Sequence, residues 1–278
     1  MQHEQDRIEP KDMTPEQAHA EALRRIEAAV ESGQDWLDLG DLPLGAIPLE
    51  IGRLAYQLKQ LGFGTFGYDT QRADWTYDSG NYLPSRNFTE LRQLSERDFI
   101  SRSTSDLRPL TDLAALQFLD VSGNSEITSL DPIAGLTALQ SLNVSWCDQI
   151  TSLDPITGLT TLQSLDVSGC DQITSLDPIT GLTMLQSLDV SGCNQINSLD
   201  PITGLTMLQS LNVSGCDQIN SLDPIAGLNA MQSLNMSGCN QITSLDPITG
   251  LNAMQSLNVS WCNRITSLDP IASLNAMQ

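Results

Sequence analysis

DPIAGLTALQSLNVSWCDQITSL, residues 131–153, decides how this chain folds. Asp131 and Pro132 read as a helix or turn start: a carboxylate to cap free N–H groups, then the residue whose φ is preset for a first helical position. Behind them Ile133, Leu136 and Leu139 form a short apolar run suited to a brief helix or 3-10 turn. Leu142 and Val144 then alternate with Ser141, Asn143 and Ser145, the two-residue period of a strand with one buried face. Cys147, Ile150 and Leu153 carry the chain back inside.

This stretch is one copy of many. The string SLDPI recurs with its Asp at 131, 154, 177, 200, 223, 246 and 269, a period of 23 residues. DLRPL keeps the same frame one step earlier, with Arg108 in the Asp slot. Residues 108–278 therefore hold seven complete 23-residue units and a partial eighth. Each unit buries apolar side chains worth roughly 1.5–3 kcal/mol apiece before ordering entropy is subtracted, and one coil alone cannot cover them. Stacked coils can. The expected fold class is α/β: a solenoid with a parallel sheet on its concave face and short helical or 3-10 turns on its convex face.

The pattern LxxLxxLxVSxCxxIxxLxPIxGL over these units resembles the bacterial leucine-rich repeat of the short, Pro-containing class. Internalins and the leucine-rich phosphatase regulator have similar units. The resemblance implies a binding fold whose partner docks on the concave sheet.

Upstream the chain is less regular. Residues 1–34 read as a polar tail and a capping helix, opened by the Thr14-Pro15-Glu16-Gln17 capping box and stopped at Gly33, with Leu23, Ile26 and Val30 on one face. Residues 35–66 read as divergent first repeats, with Leu37, Leu39, Leu42, Ile47, Ile51 and Leu54 pointing inward. This helix plus LDL-x-LPxEIGxL is similar to the start of the repeat region in Roco-type proteins, which implies the regulatory half of a GTPase signalling protein. Residues 67–107, with Trp75, Tyr77, Tyr82, Phe88 and Phe99, fit neither pattern and read as an irregular insertion.

Charge narrows the partners. The formal net charge is -21, the only lysines are Lys11 and Lys59, and beyond Arg108 the sole basic residue is Arg264. Such a surface repels phosphate backbones and anionic lipid heads, so neither nucleic acid nor membrane is expected as a partner. The N-terminus MQHEQDRIEPKDM lacks the apolar core of a signal peptide, and no run of about eighteen apolar residues occurs, so the expected location is the cytoplasm.

Motifs that carry chemistry are few. The six cysteines, at 147, 170, 193, 216, 239 and 262, share one repeat slot, which describes a buried ladder of free thiols donating weakly to loop carbonyls. Their spacing suits neither a zinc site nor a disulfide framework, and free thiols fit a reducing compartment. Gly62-Phe63-Gly64-Thr65-Phe66-Gly67 satisfies GxGxxG, but a dinucleotide site needs a helix opening at its last glycine, and YDTQRADWTYDSG does not read as one. No GxxxxGK[ST] loop occurs, and the only histidines, His3 and His19, lie far from the stack, so no catalytic residue is assigned and no enzyme expected. The Asp row at 131–269 reads as caps and not as a calcium site. The N-x-S sequons at Asn143, Asn212, Asn235 and Asn258 read as products of the repeat. No metal and no cofactor is expected.

The candidate binding residues are the outward strand positions: Phe118, Asp120, Asn143, Asp166, Asp189, Asn212, Asn235 and Asn258. Trp146 and Trp261 join them, standing where other units carry Gly. The expected function is a protein-interaction scaffold with an unidentified protein partner. The alternatives are the Roco-like regulatory half and a secreted internalin-like adhesin. The last unit stops before its strand, so self-association through an uncapped C-terminal edge is also expected.

Overall fold

The computed structural model describes residues 13–40, 42–62 and 105–274. Most of the region read as an insertion and most of the Gly62–Gly67 motif lie outside them.

Helix α1 spans Pro15–Ser32. It opens on the expected capping box: the Thr14 amide donates to Gln17 Oε1 at 2.8 Å, and the Gln17 amide donates to Thr14 Oγ1 at 3.3 Å. It closes on Gly33, whose φ of 70° suits a residue without a Cβ. The buried face is Ala18, Ala22, Ile26 and Ala29, whereas Leu23 and Val30 are only half-buried. The buried face is thus rotated from the expected one, because three alanines let the helix backbone approach the first coil closely. Arg25 Nη1 donates to the Asp38 carbonyl at 2.9 Å, and Gln57 Nε2 donates to the Ala29 carbonyl at 2.8 Å. Arg53 pairs with Glu27 across the same junction.

Nine three-residue strands form one sheet, parallel throughout, in chain order. They are β1 (Trp36–Asp38), β2 (Gln60–Gly62), β3 (Phe118–Asp120), β4 (Ser141–Asn143), β5 (Ser164–Asp166), β6 (Ser187–Asp189), β7 (Ser210–Asn212), β8 (Ser233–Asn235) and β9 (Ser256–Asn258). The register is uniform. Leu37, Leu61, Leu119, Leu142, Leu165, Leu188, Leu211, Leu234 and Leu257 stand side by side at each strand's centre and point inward. The ladder outruns the strands: the Val144 amide donates to the Asp166 carbonyl at 2.9 Å and the Trp146 amide to the Ser168 carbonyl at 2.8 Å.

Opposite the sheet, each repeat closes with a 3-10 turn such as Asp131–Ile133 or Asp154–Ile156. The Asp-Pro pair predicts a cap from the Asp, and here the structure differs. Asp131 is the first residue inside its turn, one place too late to cap it, and the N-cap position is Leu130 with no side-chain bond. Ser129 Oγ accepts from the Asp131 amide instead, at 3.0 Å, and Ser152, Ser175, Ser198, Ser221, Ser244 and Ser267 repeat the contact at the same length. Between sheet and turns runs one continuous core of Leu, Ile, Val and Cys, closed at the N-terminal end by α1. Among the described residues β9 is bonded to β8 alone, and Leu257, Val259, Ile265 and Ile271 beside it are only partly buried.

Candidate functional site

The third residue of each strand from β3 to β9 performs the same local task. Its side-chain Oδ1 accepts from the amide two residues on: Asp120 from Ser122, Asn143 from Ser145, Asp166 from Ser168, Asp189 from Ser191, Asn212 from Ser214, Asn235 from Ser237 and Asn258 from Ser260, at 2.8–3.2 Å. Asp and Asn both supply that oxygen, which is why the row alternates between them without changing the turn. The monotony of this row thus has a structural cause.

The row is also less accessible than the alternation predicts. Phe118 is 7% exposed, Asp120 4% and Asp189 3%, so these three are buried and not open docking positions. Asp189 is held down on both oxygens: Oδ1 accepts from Ser191, and Oδ2 accepts from Asn212 Nδ2 at 2.8 Å on the next strand. Phe118 lies between Gln60 and Ser141 of the flanking strands. Asn143, Asp166, Asn212 and Asn235 are half-buried, and Asn258 is exposed. Burial, reinforced by the negative charge of Asp189, lifts the Asp166 carboxyl from 3.8 to about 7, against the pull of the Ser168 bonds.

The cysteines form the expected ladder. Each Sγ donates to a backbone carbonyl of the preceding repeat: Cys147 to Val121, Cys170 to Val144, Cys193 to Val167, Cys216 to Val190, Cys239 to Val213 and Cys262 to Met236, at 3.0–3.4 Å. Asn124 fills the slot in the first unit, its Nδ2 donating to the Val121 carbonyl at 2.8 Å. All six thiols are free and buried, and burial pushes Cys170, Cys216 and Cys239 up to about 12.

One row departs from the uniform pattern. At the turn after each strand, Gly123, Gly169, Gly192, Gly215 and Gly238 have φ between 69° and 77°, and Trp146 and Trp261 occupy the same slot with φ of 59° and 62°. The tryptophans are 63% and 78% exposed. The fold needs a left-handed residue there, and glycine supplies it without steric cost. A tryptophan does not.

Among the described residues no group of His, Cys, Asp and Glu is placed to hold a metal ion, and no helix is long and apolar enough to cross a membrane.

A family model described as Leucine Rich repeats (2 copies) matches residues 114–158, 137–181, 160–206 and 206–250. The leucine-rich repeat domain of the type III effector XopL superposes with a TM-score of 0.67 at 22% identity, over 98% of this chain and 83% of that one. An internalin, InlF, from Listeria monocytogenes gives a TM-score of 0.59 at 22% identity, over 91% of this chain and 69% of that one. The functional domain of InlJ from Listeria monocytogenes, which includes a cysteine ladder, gives 0.56 at 18% identity, over 90% of this chain and 49% of that one. Identities this low speak for a shared fold. A comparison with curated protein sequences finds no match.

Proposed function

The chain is a leucine-rich repeat protein, and on that premise we propose that it is a binding scaffold whose partner is a protein docked on the concave strand face. Leucine-rich repeat folds are typical of protein-interaction domains. The observation that carries the reading is the in-register strand face: in a sheet of nine parallel strands, β4–β9 present a row of Ser and Asx side chains, most of them half-buried, beside two exposed tryptophans. The face supplies shape and hydrogen bonds, and the aromatic residues supply anchors of the kind that dominate interface energies. No step of chemistry is assigned to any residue. We place the protein in the cytoplasm, where six free thiols persist without oxidation.

The test is capture from the native source with the full chain, wild type against Ser210→Arg/Ser233→Arg. These positions are half-buried on the strand face, and the arginines would fill it. A protein cross-linked to the wild type and lost by this variant, with the thermal transition retained, supports the reading. Equal capture by both would move the interface off the strands.

A further inference from the structure

Once each polar row has its structural task, the turn row remains. The strand-end Asx residues, the serines before the 3-10 turns and the cysteines all serve the coil's own backbone. Trp146 and Trp261 do not. Among the described residues they are the only non-glycines with positive φ. A side chain in that region is strained, and an indole left 63% or 78% exposed recovers little of that strain by burial. Residues held in a costly conformation with their apolar surface outward mark a recognition site.

The surroundings define what the site recognises. Two residues beyond the Trp/Gly slot stands a second row, Asp148, Asp171, Asn194, Asp217, Asn240 and Asn263, all exposed except half-buried Asn240. The Trp146 ring lies across Gly169, so it is flanked by the turn carrying Asp148 on one side and the turn carrying Asp171 on the other. Asp148 is raised above its ordinary value by partial desolvation and by the negative charge of Asp171. Residues 105–278 hold sixteen acidic side chains against Arg108 and Arg264. Arg264 sits at the opposite end of the row, where its Nη1 donates to Gln241 Oε1 at 2.6 Å. Between the tryptophans, Gly192, Gly215 and Gly238 leave bare backbone: a Cβ there would meet only the preceding glycine, at 3.6–3.9 Å. An extended chain can lie on such a floor.

We propose that the row from Trp146 to Trp261 is a docking track for an extended, arginine- or lysine-bearing segment of the partner protein, with a cationic side chain over the Trp146 ring between Asp148 and Asp171. An aromatic face beside carboxylates attracts a guanidinium by both quadrupole and charge. Five steps of a parallel sheet at ~4.8 Å place the tryptophans about 24 Å apart, the reach of about seven extended residues. The partner's second anchor, an apolar side chain because Arg264 stands beside Trp261, therefore falls about seven residues from the first. This inference rests on the scaffold reading and adds the chemistry of the partner.

The experiment uses the full chain and a synthetic extended peptide carrying one arginine and one leucine separated by six uncharged residues, with a norleucine-for-arginine peptide as control. Binding is read by calorimetry and by quenching of indole fluorescence. Trp146→Gly restores the residue that five other units use, and Asp148→Asn/Asp171→Asn restores the side chain found at Asn194, so the fold is retained. Each variant should weaken the arginine peptide tenfold or more, added salt should weaken it further, and the norleucine peptide should bind poorly. Equal binding of the two peptides, or no loss in either variant, overturns the proposal. Peptide binding lost in Ser210→Arg/Ser233→Arg but kept in Trp146→Gly/Trp261→Gly overturns it while leaving the strand-face reading intact. A captured partner lost only in the tryptophan variants does the reverse. Light scattering that shows self-association abolished by Trp146→Gly would make the occupant a second copy and also overturn it.

Discussion

The indole of Trp146 lies across Gly169, so closely that a Cβ on that glycine would stand 2.7 Å from Trp146 Cε3. The two residues occupy the same slot in successive repeats, and both have positive φ. One repeat thus carries a ring that the next must accommodate with a hydrogen atom.

Gly169→Ala should therefore destabilise the protein more than Gly192→Ala. Both substitutions incur the left-handed penalty of roughly 1–2 kcal/mol. Only Gly169→Ala also meets an indole, since the nearest atom to a Cβ at Gly192 is a backbone nitrogen at 3.6 Å. In denaturant melts the excess should vanish when Gly169→Ala is combined with Trp146→Gly, a coupling of about 0.5–3 kcal/mol. Equal losses at both glycines would mean that the indole does not rest there.

The thiol ladder predicts an order of reactivity. Burial raises all the cysteines, and Cys262, 8% exposed against 0% for the other five, is the most accessible. Because the thiolate is the reactive form, alkylation of native protein at pH 8 should modify Cys262 first and leave the rest protected until unfolding. Peptide mapping after timed quenching checks this. Labelling of Cys193 as fast as Cys262 would refute the buried ladder.

Much of this architecture is legible in the sequence, because a 23-residue period fixes every inward position at once. Leu142, Val144, Cys147 and Ile150 are 0–1% exposed, as the alternation requires. Roles that depend on neighbouring coils are harder to read. Nothing in SLD distinguishes Asp189, pinned by Asn212 on the next strand, from half-buried Asp166. The substitution of Trp for Gly was visible, but the positive φ that gives it meaning required backbone geometry. The serine caps were within reach, since Ser precedes each Asp by two residues and commonly bonds a nearby amide.

The N-terminal helix should be integral to the first coil. Ile26 is 1% exposed among Ala18, Ala22 and Ala29, and those alanines leave no side chain able to fill a gap. Ile26→Ala should cost about 2–5 kcal/mol. Hydrogen exchange should show the loss concentrated in residues 15–62, since each solenoid unit packs on its neighbours alone. A loss spread evenly to residue 274 would show that the stack unfolds as one cooperative unit.

Asp166 makes stability depend on pH. Its carboxyl has Asp189 on one flanking strand and Asn143 on the other, with Asp120 one strand beyond, and Ser168 bonding it from the adjoining turn. No cationic group is among them. Burial, then the charge of Asp189, raises the folded value from 3.8 to about 7, so the folded protein holds this proton longer than the unfolded chain. Stability from this group is fully present below about pH 4 and is lost as pH rises through about 7. Asp166→Asn removes the charge but keeps an oxygen for the Ser168 amide, as Asn143 and Asn212 do for theirs at 2.9 and 3.1 Å. The variant should melt as wild type does at pH 4 and higher than wild type at pH 8, by about 2–4 °C per kcal/mol recovered in a chain of this size. Asp120→Asn, farther from the pair, should change the pH profile less. A Tm difference that is the same at both pH values would show that Asp166 ionises normally in the fold, and that the two carboxylates on β5 and β6 do not compete for a proton.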